Sequence, residues 1–364
     1  MNFLYVNYPS WIHPEIFPGV PFLGMIRWYG LMYVIAFVSA FFFLKRQMYE
    51  GALDSKDFRC NEDDIYGFLG CGIIFLLIGA RLGSTLIYDT SGIYWQKPWL
   101  VFWPFDTKTG QFTGLAGMSY HGGFIGGIVG MIVWTKSHKK SFWQWADVMA
   151  VAVPLGYTFG RLGNFFNGEL YGRITTMPWG MIFPDAELIP ANQDWVSAFA
   201  AKAGITIRQG ASYVNLPRHP SQLYEAFFEG ICMFLLLWNI RKVKPFNGFL
   251  SCIYCIGYGA VRFVIEYFRE PDADLGYRIS KDGSDILYTN TSLLNISTGQ
   301  ILCSMMILAG IIILITLAIL NKKGRMSPLP VITKPVKGDK SRESDSSKKS
   351  STKKASKNKK SVKK

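Results

Sequence analysis

Seven apolar runs of about 20 residues each recur along this chain, and lipid is the solvent that accommodates so many of them. They cover 22–44, 65–88, 118–135, 145–167, 222–240, 249–268 and 300–320. The runs are continuous rather than alternating, and an open sheet edge in hydrocarbon leaves amides without partners. The spans are therefore expected to be helices. The fold class read from them is an all-α polytopic membrane protein with seven transmembrane helices. The chain then divides into an aromatic, Pro-rich surface segment (1–21), a seven-helix membrane domain (22–320) and a basic tail (321–364). Two polar stretches, 168–219 and 269–299, interrupt the membrane domain, and the first is long enough for a small extramembrane head.

Basic residues beside the spans orient them. Lys and Arg crowd segments 45–64, 136–144 and 241–247 and the tail, which alternate with loops 89–116, 168–219 and 269–299. That alternation predicts an amino terminus outside, a carboxyl terminus in the cytoplasm and a periplasmic head. Of the formal charge of +14, the segment from Lys322 onward supplies +13, from 16 Lys or Arg and 3 Asp or Glu. Such a tail is expected to be disordered and solvated beside anionic lipid, and no nucleic-acid partner is inferred from it. No basic n-region precedes the first span, so that span is expected to direct insertion itself. Five of the six cysteines lie inside apolar runs. Cys252 and Cys255 have no second pair or histidine beside them, so the thiols read as small apolar residues and no metal centre is expected.

The fourth run closes on Gly160-Arg161-Leu162-Gly163-Asn164-Phe165-Phe166-Asn167-Gly168-Glu169-Leu170-Tyr171-Gly172. A charge at bilayer depth costs about 3 kcal/mol on insertion scales, so Arg161 reads as functional. Arg161, Asn164 and Gly168 share one face if the helix runs that far, and a guanidinium with an amide one turn away suits a phosphate. The blander alternative is a Gly-packed helix end whose Arg161 snorkels to headgroups and pairs with Glu169. Span six carries Tyr258, Arg262, Glu266 and Arg269 as one polar stripe. Glu266 paired with Arg262 gives a structural reading of that stripe. The functional reading counts Arg81, Arg161 and Arg262 as a surplus of buried positive charge awaiting an anionic ligand. His121 stands where span three enters the membrane. An imidazole with an ordinary pKa of about 6.5 suits a general base, and the neighbouring glycines leave room for substrate. A hydrogen-bonded structural histidine is the alternative. With the orientation above, Tyr29, His121, Asn164, Asn167, Glu169, His219 and Arg269 all fall toward the outer side.

These residues resemble a family signature, that of the bacterial prolipoprotein diacylglyceryl transferases: Gly-Arg-x-Gly-Asn-Phe-x-Asn-x-Glu-x-x-Gly. Gly160, Arg161, Gly163, Asn164, Phe165, Asn167, Glu169 and Gly172 meet every fixed position. The resemblance continues through Trp28-Tyr29-Gly30-Leu31-Met32-Tyr33, Tyr120-His121-Gly122-Gly123 and Arg218-His219-Pro220-Ser221-Gln222-Leu223-Tyr224-Glu225. It then takes in Tyr258-Gly259, Arg262, Glu266 and Phe268-Arg269-Glu270-Pro271-Asp272, in the family's order. Three features depart from it: a longer 269–299 loop, the added tail, and Ser84 where some relatives carry an aromatic.

The resemblance implies an enzyme of the bacterial inner membrane whose site opens to the periplasmic or outer leaflet. Such enzymes move the diacylglyceryl group of phosphatidylglycerol onto the lipobox cysteine thiol of a prolipoprotein signal peptide. A thioether forms, glycerol-1-phosphate leaves, and no metal or nucleotide cofactor is required. The thiol, with a pKa of about 8.5, needs a base or a positive field, and the departing phosphate needs fixed cations. The expected catalytic residues are His121 as base and Arg161 and Arg262 on the phosphate. Tyr29, Arg81, Asn164, Asn167, Glu169, Gly172, Tyr258, Glu266 and Arg269 are the expected substrate-binding and supporting residues. A transporter or scramblase of anionic phospholipid would use the same arginines without making a bond.

Overall fold

The computed structural model describes residues 5–20, 26–55, 58–105, 109–111, 117–270, 277–280 and 292–330. Asp272, Asp274, Asp282 and Asp285 of the outer loop, Pro271 of the resemblance, the start of the first run at Phe22 and the Lys/Ser tail from 336 lie outside them.

Each of the seven runs holds a helix among its described residues. In chain order the helices are α1 (Trp28–Tyr49), α2 (Glu62–Leu82, running on through a π turn, Gly83–Tyr88), α3 (Ile93–Gln96), α4 (Tyr120–Ser137) and α5 (Phe142–Phe166). After α6 (Asp194–Lys202), α7 (Ser221–Tyr224) continues through a π-helical segment, Glu225–Cys232, into α8 (Met233–Ile240). The series ends with α9 (Phe249–Ile265) and α10 (Thr298–Lys322). Among the described residues, four helices are long and apolar enough to cross a membrane: Trp28–Tyr49, Glu62–Tyr88, Ser221–Ile240 and Thr298–Lys322. Strands are short and pair only two by two among the described residues, so no closed sheet competes with the helices. This is a helical membrane protein. The first helix runs past the expected stop at Lys45-Arg46, because Lys45 pairs with Glu62 at 2.8 Å and Arg46 with Glu50 at 3.3 Å. Ion pairing lets those charges sit on a helix rather than end it.

The chain forms two compact units: Met1–Phe43 with Met149–Met326, and Leu44–Val148 with the residues from Ser327 onward. In the second unit α2 and α4 meet through glycines. A Cβ on Gly122 would fall 2.3 Å from the Gly79 carbonyl, and one on Gly126 would fall 2.2 Å from that of Phe75. Small residues let two helix backbones touch, which is how helices gain packing where lipid supplies no hydrophobic drive. Gly122 was expected to leave room for substrate beside His121; it is instead filled by α2. An Asn61–Asp64 capping box starts α2, and the Ser119 hydroxyl accepts from Gly122 N at 3.1 Å to start α4. Trp134, Trp145 and Phe68 close this unit's core with ring centroids 4.4–5.5 Å apart.

In the first unit α9 and α10 also cross at glycines, Gly259 against Ile307 and Gly310 against Ile256. The polar stretch after α5 folds as a head around two apolar clusters. Ile174, Ile189, Val196, Ala200, Val214 and Leu216 make one; Ile12, Phe165, Met181, Phe183 and Ala186 make the other. Among the described residues, three strand pairs serve this unit: β1 (Val6–Asn7) with β2 (Met181–Ile182), β3 (Ile189–Pro190) with β4 (Tyr213–Val214), and β5 (Tyr277–Ile279) with β6 (Ile296–Ser297). The first of these builds the amino-terminal segment into the head, and the Tyr8 hydroxyl donates to the Phe165 carbonyl at 2.8 Å.

Candidate active site

Three arginines converge on one carboxylate. Glu225 lies in the π-helical segment that opens the fifth run, and its side chain is fully buried. Its Oε2 is 2.6 Å from Arg161 Nε and 3.1 Å from Arg262 Nη1; its Oε1 accepts from Arg269 Nη1 at 3.2 Å. The Tyr157 hydroxyl donates to Oε2 at 3.1 Å and accepts from Arg161 Nε at 2.7 Å. The π geometry has a local cause. A Cβ on Gly230 would fall 2.0 Å from Thr158 Oγ1, and the Thr158 hydroxyl reaches the Ala226 carbonyl at 3.2 Å. A side chain pressed into the backbone ladder is a recognised source of such a bulge.

Arg262 then reaches outward from Glu225. Its Nη2 is 3.3 Å from Glu266 Oε2, and its Nη1 is 3.7 Å from Glu229 Oε1. Glu266 also lies 3.7 Å from Arg269 Nε and accepts from the Ser297 hydroxyl at 3.0 Å. The cluster thus sets Arg161, Arg262 and Arg269 against Glu225, Glu229 and Glu266. The expected surplus of positive charge is absent from this group. It arose from counting the arginines without the two glutamates that the fifth run carries. The bland pairing of Arg161 with Glu169 is also replaced: Arg161 pairs with Glu225, and Asn164 stands between it and Glu169. The arginine side chains keep 16–17% of their surface exposed while Glu225 keeps none. One inner carboxylate therefore anchors three guanidiniums whose side chains are not wholly sealed.

The signature stretch builds the adjoining wall. The α5 helix stops at Phe166, and Gly168 turns the chain with φ +67°, so the shared helical face does not extend to Gly168. Arg161 Nη1 donates to Asn164 Oδ1 at 3.4 Å, and the amides of Asn164 and Asn167 donate to Glu169 Oε1 at 2.9 and 3.3 Å. Gln222 Nε2 donates to the Glu169 carbonyl at 2.6 Å, tying this turn to the start of the fifth run. Gly172 bridges Arg269 by backbone, and a Cβ there would fall 2.2 Å from the Phe268 carbonyl; close approach explains the glycine and fixes the base of Arg269. Tyr29 packs its ring on Gly163 and bonds Tyr33 through the hydroxyls at 3.0 Å, and Tyr258 stands edge-on to Tyr157 at 5.7 Å.

Ten of the twelve residues singled out from sequence lie in the first unit. The other two, Arg81 and His121, belong to the second. Arg81 is buried, with Nε on the Val101 carbonyl and Nη1 on that of Gly117 at 3.2 Å, where it fastens the loop after α2. His121 is exposed, its Nδ1 2.9 Å from the Tyr88 hydroxyl. Sequence reasoning left Tyr157, Glu225 and Glu229 without a role. The signal was present: two carboxylates four residues apart within an apolar run, one of them ending the motif that begins at Arg218.

The fold and the cluster define a class: a helical membrane protein with a guanidinium–carboxylate site built between its helices. The prolipoprotein diacylglyceryl transferase profile matches residues 20–316, and the chain belongs to that family. It is 55% identical over 315 residues to the phosphatidylglycerol–prolipoprotein diacylglyceryl transferase of Treponema pallidum (strain Nichols), covering 85% of this chain and 94% of that one. The protein of the same name from Treponema denticola is 54% identical over 331 residues, 88% of this chain and 96% of its own. The one from Chlorobaculum tepidum is 42% identical over 314 residues, 84% and 90% of the two chains.

Proposed function

We propose that this chain transfers the diacylglyceryl group of phosphatidylglycerol to the lipobox cysteine thiol of prolipoproteins. Sulfur attacks the glycerol carbon, the carbon–oxygen bond to phosphate breaks, and glycerol-1-phosphate departs with the bonding pair. The observation that carries this reading, beside membership of the family, is Glu225 holding three arginines whose side chains keep 16–17% of their surface exposed. Charge grows on the departing phosphate, and donors fixed before the reaction meet it without reorganising. Arg161 and Arg262 take the phosphate, and Arg269 borders it. Asn164, Asn167 and Glu169 orient the headgroup, while Tyr29 and Tyr258 line it. Arg81 and Gly172 act through the backbone they fix. His121, steered by Tyr88, takes the thiol proton.

The seven helical runs all cross the bacterial inner membrane, with the amino terminus and head on the periplasmic side and the tail in the cytoplasm. Basic residues at alternate ends of the runs support that orientation. Labelling of single cysteines placed in the loops decides it: reagent outside the cell reaches position 208 in the head and not position 139, and the reverse pattern removes the orientation.

The chemistry is tested with purified protein, labelled phosphatidylglycerol and a lipobox peptide. A thioether-linked product is expected. Arg161→Ala and Arg262→Ala should each lower transfer by about 100-fold or more while the protein still inserts, and His121→Gln by about 100-fold. Lipid movement without a thioether would favour a transporter instead.

A further inference from the structure

The outer edge of the guanidinium cluster rests on α10, a helix whose one charged residue, Lys322, lies at its far end. Glu266 caps the carboxyl end of α9, where its own helix dipole disfavours a negative charge. Its carboxylate is seated instead on the first turn of α10. The Ser297 hydroxyl donates to Glu266 Oε1 at 3.0 Å, and both side chains are buried. Gly299 leaves the space that the carboxylate fills: a Cβ there would fall 2.6 Å from Oε1 and 3.3 Å from Oε2. Gly299 lies inside the helix, so no turn asks for a glycine at this position; the carboxylate does.

The seat is itself braced. Ser297 Oγ accepts from Gln300 N at 3.2 Å, and Gln300 Oε1 accepts from Ser297 N at 3.0 Å, a reciprocal capping box. Gln300 Nε2 also donates to the Phe263 carbonyl of α9 at 3.3 Å. With its oxygen accepting from Gln300, the Ser297 hydroxyl gives its proton to Glu266. The other carboxylate oxygen, Oε2, faces Arg262 Nη2 at 3.3 Å and Arg269 Nε at 3.7 Å. Holding Oε1 therefore fixes how Oε2 meets both guanidiniums. The outer loop that begins at Arg269 returns at Ser297, so both its ends close on one carboxylate.

We propose that Ser297 and Gly299 are positioning residues for transfer: they hold the Glu266 carboxylate and, through it, the Arg262 and Arg269 guanidiniums. What those guanidiniums do rests on the transfer proposed for this chain; the seat does not.

The test uses the full chain in lipid nanodiscs, with labelled phosphatidylglycerol and a lipobox peptide, and unfolding in detergent. Gly299→Ala is the sharper probe. Its methyl would meet the end of a flexible side chain, so the carboxylate moves and the helix stays. The unfolding midpoint should match the wild type while kcat falls about tenfold and the KM for phosphatidylglycerol changes less than about threefold, since a shifted guanidinium is felt most in the transition state. Ser297→Ala should also lower kcat about tenfold, and Ser297→Thr, which keeps the hydroxyl, should restore most of it. If Ser297→Ala does not insert, Ser297→Asp serves: aspartate caps a helix as well as serine but has no proton to give Glu266, and kcat should fall again. Wild-type kcat in Gly299→Ala or in the Ser297 variant, a loss confined to KM, a Gly299→Ala loss that comes with a lowered midpoint, or a Ser297→Ala loss that threonine does not restore would each overturn the proposal. A wild type that makes no thioether defeats the transfer reading instead. Unfolding then decides the seat: Ser297→Ala should lower the midpoint more in the wild type than in Glu266→Ala, where no carboxylate takes the proton, and equal losses overturn it.

Discussion

Glu225 is the residue on which the candidate site turns, and its role is geometric. One guanidinium near a phosphate is a flexible cation; three tied to the same buried carboxylate are a rigid frame. Breaking a buried pair by removing one partner costs about 3–5 kcal/mol, because the remaining charge keeps its desolvation without its counter-ion. Glu225→Gln keeps the shape and one acceptor oxygen but removes the charge that gathers Arg161, Arg262 and Arg269. Transfer is expected to fall by about 100-fold or more, through kcat as well as KM, since the frame matters most when charge grows on the phosphate. Wild-type kcat in purified Glu225→Gln would remove Glu225 from the machinery. The arginines were legible from sequence because a cation in an apolar run is conspicuous. Glu225 was not, because it closes the Arg218–Glu225 motif and reads as the polar start of a span. Only the fold shows that α5, α9 and the π segment bring their charges to one point. The turn from Asn164 to Glu169 was half legible: its residues stand out, but Gly168, with its φ of +67°, ends the face on which Arg161 and Asn164 had been aligned with it.

At the scale of elements, glycine does different work at neighbouring positions. Gly126 and Gly127 are equal in any composition or periodicity argument, and the structure separates them. A Cβ at Gly126 meets the Phe75 carbonyl at 2.2 Å and the Gly79 Cα at 3.1 Å, both backbone atoms that cannot rotate away. A Cβ at Gly127 meets nothing within 4 Å. Gly126→Ala is therefore expected to push α4 off α2 and destabilise the second unit by about 1–3 kcal/mol, as overpacking does. Gly127→Ala should be neutral or slightly stabilising, since alanine has the higher helix propensity. Denaturation of the purified variants in detergent compares them; equal midpoints would mean that the α2–α4 seam is not a determinant of stability. The existence of the helices was readable from the apolar runs alone. Their partners were not, because lipid-facing and helix-facing positions are both apolar, and the choice between them is made by the size of the side chain opposite.

At the scale of the whole chain, the helices followed from hydropathy while the head's strands did not: they are two or three residues long, too short for an alternating pattern. What joins the head to the helices is a polar strip around His219. Its carbonyl accepts from Gly172 N at 2.8 Å, its Nδ1 lies 3.1 Å from the Tyr224 hydroxyl, and its ring stands edge-on to Phe268 at 5.2 Å. Burial, reinforced by the nearby Arg173 guanidinium, pushes the His219 imidazole down from 6.5 to about 4. The folded chain therefore keeps His219 neutral where the unfolded chain protonates it. Stability from this group is fully present above pH 6.5 and drains away as pH falls toward 4. Glu270, ion-paired with Arg218, is pushed up by burial and acts with the opposite sign, losing stability as pH rises past the ordinary carboxylate value. The two are separated by comparing the wild type with His219→Asn, which keeps Glu270. Hydrogen–deuterium exchange in residues 171–220 should quicken between pH 6.5 and 4, after correction for intrinsic rates, in the wild type more than in the variant. Exchange in α10, remote from His219 in sequence and packed on α9, should not share that difference. Equal acid dependence in the two proteins would show that His219 is already protonated in the folded head, and the buried strip would need a different source of acid sensitivity.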